Sequence, residues 1–316
     1  MDWLAFISNW LGSTPDFAVP YALAAIGLII AERSGVLSLG AEGLMLVGAL
    51  IAIGAQLSFG LVGLSLLAGM AAASLVSVMF AIMVVVLRVN QVIAGLALVF
   101  FCQGLTSLLG TLLGWTNKAV TGLEPFEISG LASIPVIGRL LFGQNLIVYF
   151  TVVVCIGATW MLYKTRLGMT LRAVGENPQA ADSAGISVTG MRFWAVVLSA
   201  ALVGLAGAYI SLISSKLWVA GMTGGRGWIA IGLVIFARWA PWRALAGALL
   251  FGGIEALIPQ LAAAGIRLPQ YYVLMLPYLL TLAVMIWVAL GMRKRKSGID
   301  DEPAALGEPY VREERR

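Results

Sequence analysis

Long apolar stretches, separated by short charged or proline- and glycine-containing breaks, constrain the fold of this chain more than any other feature. A helix that crosses a bilayer needs about 20 predominantly apolar residues. Candidate spans lie at 16–31, 36–55, 61–87, 91–113, 145–163, 192–213, 227–240, 244–262 and 271–291. Only 11% of the residues are charged, against about 25% in soluble domains. We therefore predict an all-α, polytopic transmembrane helical bundle of about nine spans, with the seventh short enough to be a broken helix.

The distribution of lysine and arginine predicts the orientation of this bundle, because cytoplasmic loops carry an excess of both residues. With the C-terminus in the cytoplasm, the inner side holds twelve of these residues before the last arginines and the outer side holds five. The inner residues are Arg33, Arg88, Lys164, Arg166, Arg172, Arg192, Arg238, Arg243, Arg293, Lys294, Arg295 and Lys296, and the outer ones are Lys118, Arg139, Lys216, Arg226 and Arg267. An odd number of spans then places the N-terminus outside.

The same pattern divides the chain into three regions. Residues 1–15 are interpreted as a segment on the outer surface, with a partial crossing by residues 1–14 as the alternative. Residues 16–291 form the transmembrane domain, with an outer loop at 114–144 and the largest cytoplasmic loop at 164–191. The polar tail at 292–316 has too few apolar residues to pack, and we expect it to be disordered.

The large cytoplasmic loop contains clear helix start and stop signals. In LRAVGENPQAADSAGIS, Asn177 is a good N-cap, Pro178 suits the first helical position and Gly185 suits the end. These signals predict a short helix at about 178–184, with mostly small side chains such as Ala181. Such a helix could fit a groove on another protein, or it could be a plain capped connection between two spans.

Polar residues inside predicted spans are the candidates for a solute pathway. A carboxylate at membrane depth is costly, so Glu42 is a functional hypothesis. Ser38 is expected one turn earlier on the same helical face, and Gln103 lies in the fourth span. Each residue could instead be structural and bond to the backbone of a neighbouring helix. Glu255, near the outer end of its span, favours the structural interpretation.

Small residues predict where helices approach closely. Gly204 and Gly207 belong to a small-residue stripe in the sixth predicted span, and Gly252 lies in a glycine-rich stretch of the eighth. Small residues let membrane helices pack at short distance. We therefore assign these three glycines to structural packing.

Two absences restrict the chemistry. The sequence contains no histidine, which excludes histidine-based triads, proton relays and metal sites. It also contains no G-x-x-x-x-G-K-[ST] phosphate loop, so any ATP and Mg would be held by a separate subunit. We expect no catalytic site, cofactor or metal in this chain. The run at 293–296 suits contact with anionic lipid rather than nucleic acid.

Three segments resemble signature regions of one family: ERSGVLSLGAEGLMLVGAL, RAVGENPQAADSAGIS and GRGWIAIGLVIFARWAPWRALAGALLFGG. It is the permease family of bacterial importers for branched-chain amino acids, simple sugars and nucleosides. The sugar/nucleoside branch, whose permeases begin with E-R-x-G-V-x-N-x-G-x-E-G, is the most similar. The resemblance covers roughly residues 17–292, with the segments in the family's order. It implies a permease subunit of an ATP-binding cassette (ABC) importer in the inner membrane.

The resemblance also implies partners and roles. The expected partners are P-loop ATPase subunits, a second permease in a heterodimer, and a substrate-binding lipoprotein or periplasmic protein. By this likeness Glu176, Asn177 and Pro178 belong to the loop that couples to the ATPase, and we add Ala181 and Gly185 as candidates from the same loop. Ser38 stands where the branch usually has Asn. A nucleoside or simple sugar is the expected solute, with a branched-chain amino acid as the alternative.

A secondary transporter or channel is the main rival to this interpretation, with Glu42 as its proton site. A proton relay usually needs several titratable groups in series, and the predicted spans contain few. A membrane-embedded enzyme would need a metal cluster or a nucleophile–base pair, and isolated carboxylates supply neither. Neighbouring genes for an ATPase, a second permease and a binding protein would favour the importer.

Overall fold

The computed structural model describes residues 3–123, 137–265 and 302–312, together with isolated positions between 275 and 286. All helices and helical turns that it defines belong to one bundle, and these described residues contain no strand. The all-α prediction is confirmed. The ninth expected span at 271–291, part of the expected outer loop and the basic run at 293–296 lie outside the fully described ranges.

Eleven α-helices follow one another along the described chain. They are α1 (Trp3–Glu32), α2 (Ala41–Phe59), α3 (Val62–Ala81), α4 (Gln91–Leu112), α5 (Ile137–Phe142), α6 (Leu146–Lys164), α7 (Arg166–Glu176), α8 (Pro178–Ser183), α9 (Val188–Tyr209), α10 (Arg226–Ala237) and α11 (Pro241–Ala263). Short π-helical turns at Ile82–Val86 and Ile210–Ser214 extend α3 and α9.

Seven of these helices are long and apolar enough to cross a membrane: α1, α2, α3, α4, α6, α9 and α11. Each matches a predicted span. The expected broken helix is α10, which has 12 residues and is too short to cross alone. The total of nine spans and the orientation of the termini remain predictions.

The first helix differs from its prediction. Instead of a surface segment at 1–15 and a span at 16–31, one helix runs from Trp3 to Glu32 with Pro15 and Pro20 inside it. Proline usually marks a helix start or a break, which is why the sequence suggested a boundary there. The indole N–H of Trp10 donates to the carbonyl of Gly253 in α11 at 2.6 Å. This bond attaches the early turns of α1 to the bundle.

Helices α1, α2 and α9 form the centre of the bundle. Between 72% and 83% of the apolar membrane-spanning stretch is buried in each of these three helices, against 33% in each of α3, α4 and α6. Glycines allow the central helices to touch: a Cβ on Gly207 of α9 would collide with the carbonyl of Met45 in α2, and one on Gly204 would collide with Ala73 in α3. A Cβ on Gly252 of α11 would lie 2.5 Å from the backbone nitrogen of Ala18 in α1.

The C-terminal tail was expected to be disordered, and for residues 302–312 this is wrong. The backbone N–H of Ala305 donates to the carbonyl of Gly175 at 2.9 Å, and that of Gly307 donates to Gly35 at 3.2 Å. Ala305 is 5% exposed, and Leu306 packs against the main core. A few small and apolar residues with two backbone bonds are enough to dock a segment whose average composition is polar.

Candidate functional site

The second helix begins deep inside the bundle rather than at its surface. Helix α1 ends at Glu32, and residues 33–40 lead back into the bundle before α2 starts at Ala41. A Cβ on Gly43 would lie 2.9 Å from the Cβ of Cys102, which lies midway along α4. Glu42 is therefore held near the middle of the bundle's depth.

Glu42 caps the N-terminus of the short helix α10. Its Oε1 accepts hydrogen bonds from the Thr223 hydroxyl at 2.5 Å and the Gly225 N–H at 2.9 Å, and its Oε2 accepts from the Gly227 N–H at 2.7 Å. Backbone N–H groups at a helix start are otherwise unsatisfied, and the positive end of the helix dipole favours a carboxylate. Both carboxylate oxygens are bonded to protein groups.

The other two pathway candidates do not join Glu42. Ser38 is buried on a non-helical stretch ahead of α2. The expectation that it shares a helical face with Glu42 is wrong, because the helix begins only at Ala41. Gln103 lies on the exposed surface of α4. The three residues therefore occupy three different environments.

A second polar cluster lies at the start of α10. The guanidinium of Arg226 forms an ion pair with Glu255 of α11, and the Tyr21 hydroxyl of α1 donates to the other Glu255 oxygen at 2.8 Å. The sequence places Arg226 among the cations of the outer side, whereas in the structure it is the first residue of α10 and is bonded inside the bundle. The cluster links three helices and leaves Glu255 with two protein partners.

The helix expected in the cytoplasmic loop is present as α8. The Asn177 side chain accepts from the Ala180 N–H at 2.9 Å, and Pro178 occupies the first turn. Gly185 has a φ of +83°, a conformation that glycine adopts without strain. Ala181 faces inward against Val174 and is 4% exposed.

The outer surface of α8 consists of small and polar side chains, since Gln179, Ala180 and Ser183 are exposed. Glu176 is also exposed, and its carboxylate accepts from the Ala304 N–H at 3.4 Å. Helix α8 therefore presents a smooth face beside the docked tail, with Ala181 supporting it from beneath.

Close backbone contacts fasten this loop to the bundle. A Cβ on Gly175 would collide with the carbonyl of Arg33, so the end of α7 rests on the end of α1. The side chain of Arg192 in α9 donates to the carbonyls of Ser34 at 3.1 Å and Glu308 at 2.8 Å. The loop, the ends of two spans and the tail are thus joined at one place.

The turn between α10 and α11 joins the same junction. The Trp239 indole donates to the Glu32 carboxylate at 2.6 Å, and the Arg33 side chain donates to the Trp239 carbonyl at 3.3 Å. The three segments that carried the family resemblance therefore meet here. Sequence patterns did not indicate Trp239, Arg192 or the tail as site residues. For Trp239, its position inside the third resembling segment was the available signal.

Comparison with known proteins identifies the family of this chain. The family model described as the permease component of a branched-chain amino acid transport system matches residues 14–285. The chain is 36% identical to a putative glucose ABC transporter permease, TsgC13 of Haloferax volcanii, over 98% of this chain and 99% of the relative. It is 33% identical to the guanosine ABC transporter permease NupQ of Bacillus subtilis, with both chains covered completely.

A further relative is the nucleoside ABC transporter permease NupC of Lactococcus lactis, which is 33% identical over 85% of this chain and 88% of its own. The predicted family, with its similarity to sugar and nucleoside permeases, is confirmed. Such components are transport subunits rather than enzymes. Seven membrane-capable helices fit a multi-pass protein of the inner (plasma) membrane. The chain therefore belongs to the branched-chain amino acid transport system permease family, and it is an ABC transporter permease.

Proposed function

We propose that this chain is the permease subunit of an importer that moves a nucleoside or simple sugar across the inner membrane, using ATP hydrolysed by a separate subunit. The observation that carries the proposal is α8: a short, capped helix with an exposed face of small and polar side chains, fastened to the ends of the spans. The names of the relatives, which refer to glucose, guanosine and nucleosides, support the choice of solute.

The contacts around α8 supply a route by which movement at the cytoplasmic surface reaches the membrane interior. The end of α7 rests on Arg33, and Arg33 bonds to Trp239 directly after α10. The opposite end of α10 is capped by Glu42 of α2. A push on α8 would thus be passed to α10 and α2 through packed backbone and hydrogen bonds. A loop without these contacts would absorb the movement.

The proposed partners follow from the sequence and the family. The chain lacks a phosphate loop, so ATP and Mg would be bound by P-loop ATPase subunits that dock on α8. A second, similar permease would complete the pathway in a heterodimer. A binding lipoprotein or periplasmic protein would deliver the solute to the outer face.

Two intramembrane carboxylates that the sequence singled out, Glu42 and Glu255, are already bonded within the described bundle, which favours an uncharged solute. Both carboxylate oxygens of Glu42 are bonded to protein groups, and Glu255 pairs with Arg226 and Tyr21. The amide of Gln103 remains exposed on α4. An amide can bond the hydroxyl groups of a sugar or nucleoside, whereas the zwitterion of a branched-chain amino acid would require fixed charges.

Co-purification followed by a ligand-stability screen tests this proposal. The tagged chain is expected to recover an ATPase, a second permease and a binding protein. The recovered binding protein should gain thermal stability with guanosine or glucose and not with leucine. If the chain purifies without an ATPase and alone catalyses gradient-driven uptake in proteoliposomes, the secondary transporter replaces this proposal.

A further inference from the structure

The docked tail, residues 302–312, runs beside α8 from the start of that helix to its end. The backbone N–H of Ala304 donates to the carboxylate of Glu176, just before α8, at 3.4 Å. Further along the tail, the side chain of Arg312 pairs with Asp182 in the last turn of α8 at 3.3 Å. The tail and α8 therefore run in the same direction, side by side.

The tail and α8 share one apolar support. Tyr310 of the tail packs against the cluster that also lies beneath α8, formed by Val174, Ala181 and Val188. Next to it, the backbone N–H of Ala305 donates to the carbonyl of Gly175 at 2.9 Å. Because both segments are attached to the same residues of the bundle, they present a single surface to a partner.

A groove separates the two segments on this surface. Residues 176–179 form one wall, and residues 304, 305 and 308–311 form the other. Its volume is about 190 Å³, whereas one water molecule takes about 30 Å³ in the liquid. The groove can therefore hold one long side chain of a partner. Gln179 on the first wall and Pro309 on the second are exposed.

The charges at the groove favour a cation. Among the described residues that line it, Glu176 and Glu308 are the charged ones, and both are exposed. Helix α7 ends at Glu176, and the carbonyl end of a helix carries a partial negative charge. The nearest cation of the bundle is Arg192, which is 3% exposed and donates to the carbonyl of Glu308 from beneath.

We propose that the ATPase subunit docks in this groove and places a lysine or arginine side chain between Glu176 and Glu308. The groove is continuous with the exposed face of α8, so one partner covers both. The tail is then the second wall of the docking surface. This inference rests on the proposed function for the identity of the partner, and it adds the tail and the charge of the inserted side chain.

Charge reversal on each wall tests the inserted cation in the full chain. Glu176→Lys and Glu308→Lys bring like charges together across the interface, which is unfavourable. Both are expected to lower ATPase recovery in a pull-down at least about tenfold. Glu302→Lys makes the same charge change at an exposed tail position outside the groove, and it should recover the ATPase like the wild type.

Limited proteolysis of each variant checks that the tail stays docked, and Glu308→Gln replaces Glu308→Lys if the tail is released. Wild-type recovery by the variants at both Glu176 and Glu308 would overturn the proposal. An equal loss in Glu302→Lys would also overturn it, because the effect would then come from the overall charge.

Photo-crosslinking separates this proposal from the proposed function. Benzoylphenylalanine in place of Gln179 probes the α8 wall, and in place of Pro309 it probes the tail wall. Met169 of α7, which is 53% exposed and lies outside the groove, is the control position. Crosslinks to the ATPase are expected at 179 and 309 and not at 169.

The two proposals fail in different ways. Crosslinking at 179 alone would keep the ATPase on α8 and reject the tail as a wall. Recovery of the ATPase without a crosslink at either position would keep the importer and reject the groove. If no ATPase is crosslinked or recovered, the proposed function itself fails.

Discussion

The carboxylate of Glu42 accepts a hydrogen bond from the backbone N–H of Gly227 at 2.7 Å, which joins the start of α2 to the start of α10. Replacing Glu42 by Leu leaves this N–H, the Gly225 N–H and the Thr223 hydroxyl without their acceptor. A buried group that loses its partner costs about 1–3 kcal/mol. Glu42→Leu is therefore expected to lower the thermal unfolding midpoint in detergent and the yield of monodisperse protein.

Glu42→Gln is expected to destabilise the protein less than Glu42→Leu. The side-chain oxygen of Gln can still accept a hydrogen bond, whereas its NH₂ group would face a donor that it cannot bond. Glu302→Gln, at an exposed tail position, serves as the control and should match the wild type. Normal stability and uptake in Glu42→Leu would show that Glu42 is needed for neither stability nor transport.

The contact between Gly207 of α9 and Met45 of α2 leaves no room for a methyl group. Gly207→Ala should force α2 and α9 apart, and overpacking of this kind costs about 1–3 kcal/mol. Gly157→Ala is the matched control, since its added Cβ meets nothing within 4 Å and alanine favours helix. The thermal unfolding midpoint of Gly207→Ala should be lower than the midpoints of the wild type and of Gly157→Ala. Equal midpoints for the two variants would contradict the close contact between Gly207 and Met45.

Two neighbouring residues of α8 should respond differently to arginine. Ala180 is exposed, so Ala180→Arg is expected to insert and unfold normally while losing ATPase recovery in a pull-down. Ala181 is buried beside Val174 and Val188, so Ala181→Arg should destabilise the protein by placing a charge in an apolar cluster. Ala180→Ser is the conservative control. Wild-type ATPase recovery by Ala180→Arg would move the docking surface away from α8.

The docked tail is expected to stabilise the segment that contains α7 and α8. A chain that stops after Asp301 loses the bonds from Ala305 to Gly175 and from Gly307 to Gly35, as well as the acceptor that Glu308 offers to Arg192. It should show faster limited proteolysis within α7 and α8 and weaker ATPase recovery. A chain that stops after Arg312 keeps all of these contacts and should behave like the wild type. Identical digestion of both truncated chains would show that the tail contributes no stability.

Local rules were enough to predict some elements. Asn177, Pro178 and Gly185 act within a few residues of α8, so the sequence alone predicted that helix. The same kind of rule failed at Pro15, which lies within α1 instead of marking its boundary. It failed again at Ser38, where the backbone stays non-helical until α2 begins.

Distant contacts account for what the sequence could not reveal. Glu42 was predicted to matter, but its partner Gly227 lies 185 positions along the chain, and no local pattern connects them. The tail docks through single backbone bonds to Gly35 and Gly175, which composition does not record. The direction in which Ala181 points also depends on the packing of α7 and α9 rather than on the sequence of α8.

Uptake by a reconstituted transporter is the sharpest test of ATP-driven import through this chain. Proteoliposomes that contain this chain, the proposed second permease and the proposed ATPase are supplied with the loaded binding protein outside, with or without ATP and Mg inside. Guanosine or glucose is expected to accumulate only with internal ATP, and not with an ATPase whose phosphate-loop lysine is replaced. Equal uptake without ATP, or full uptake by this chain alone, would contradict it.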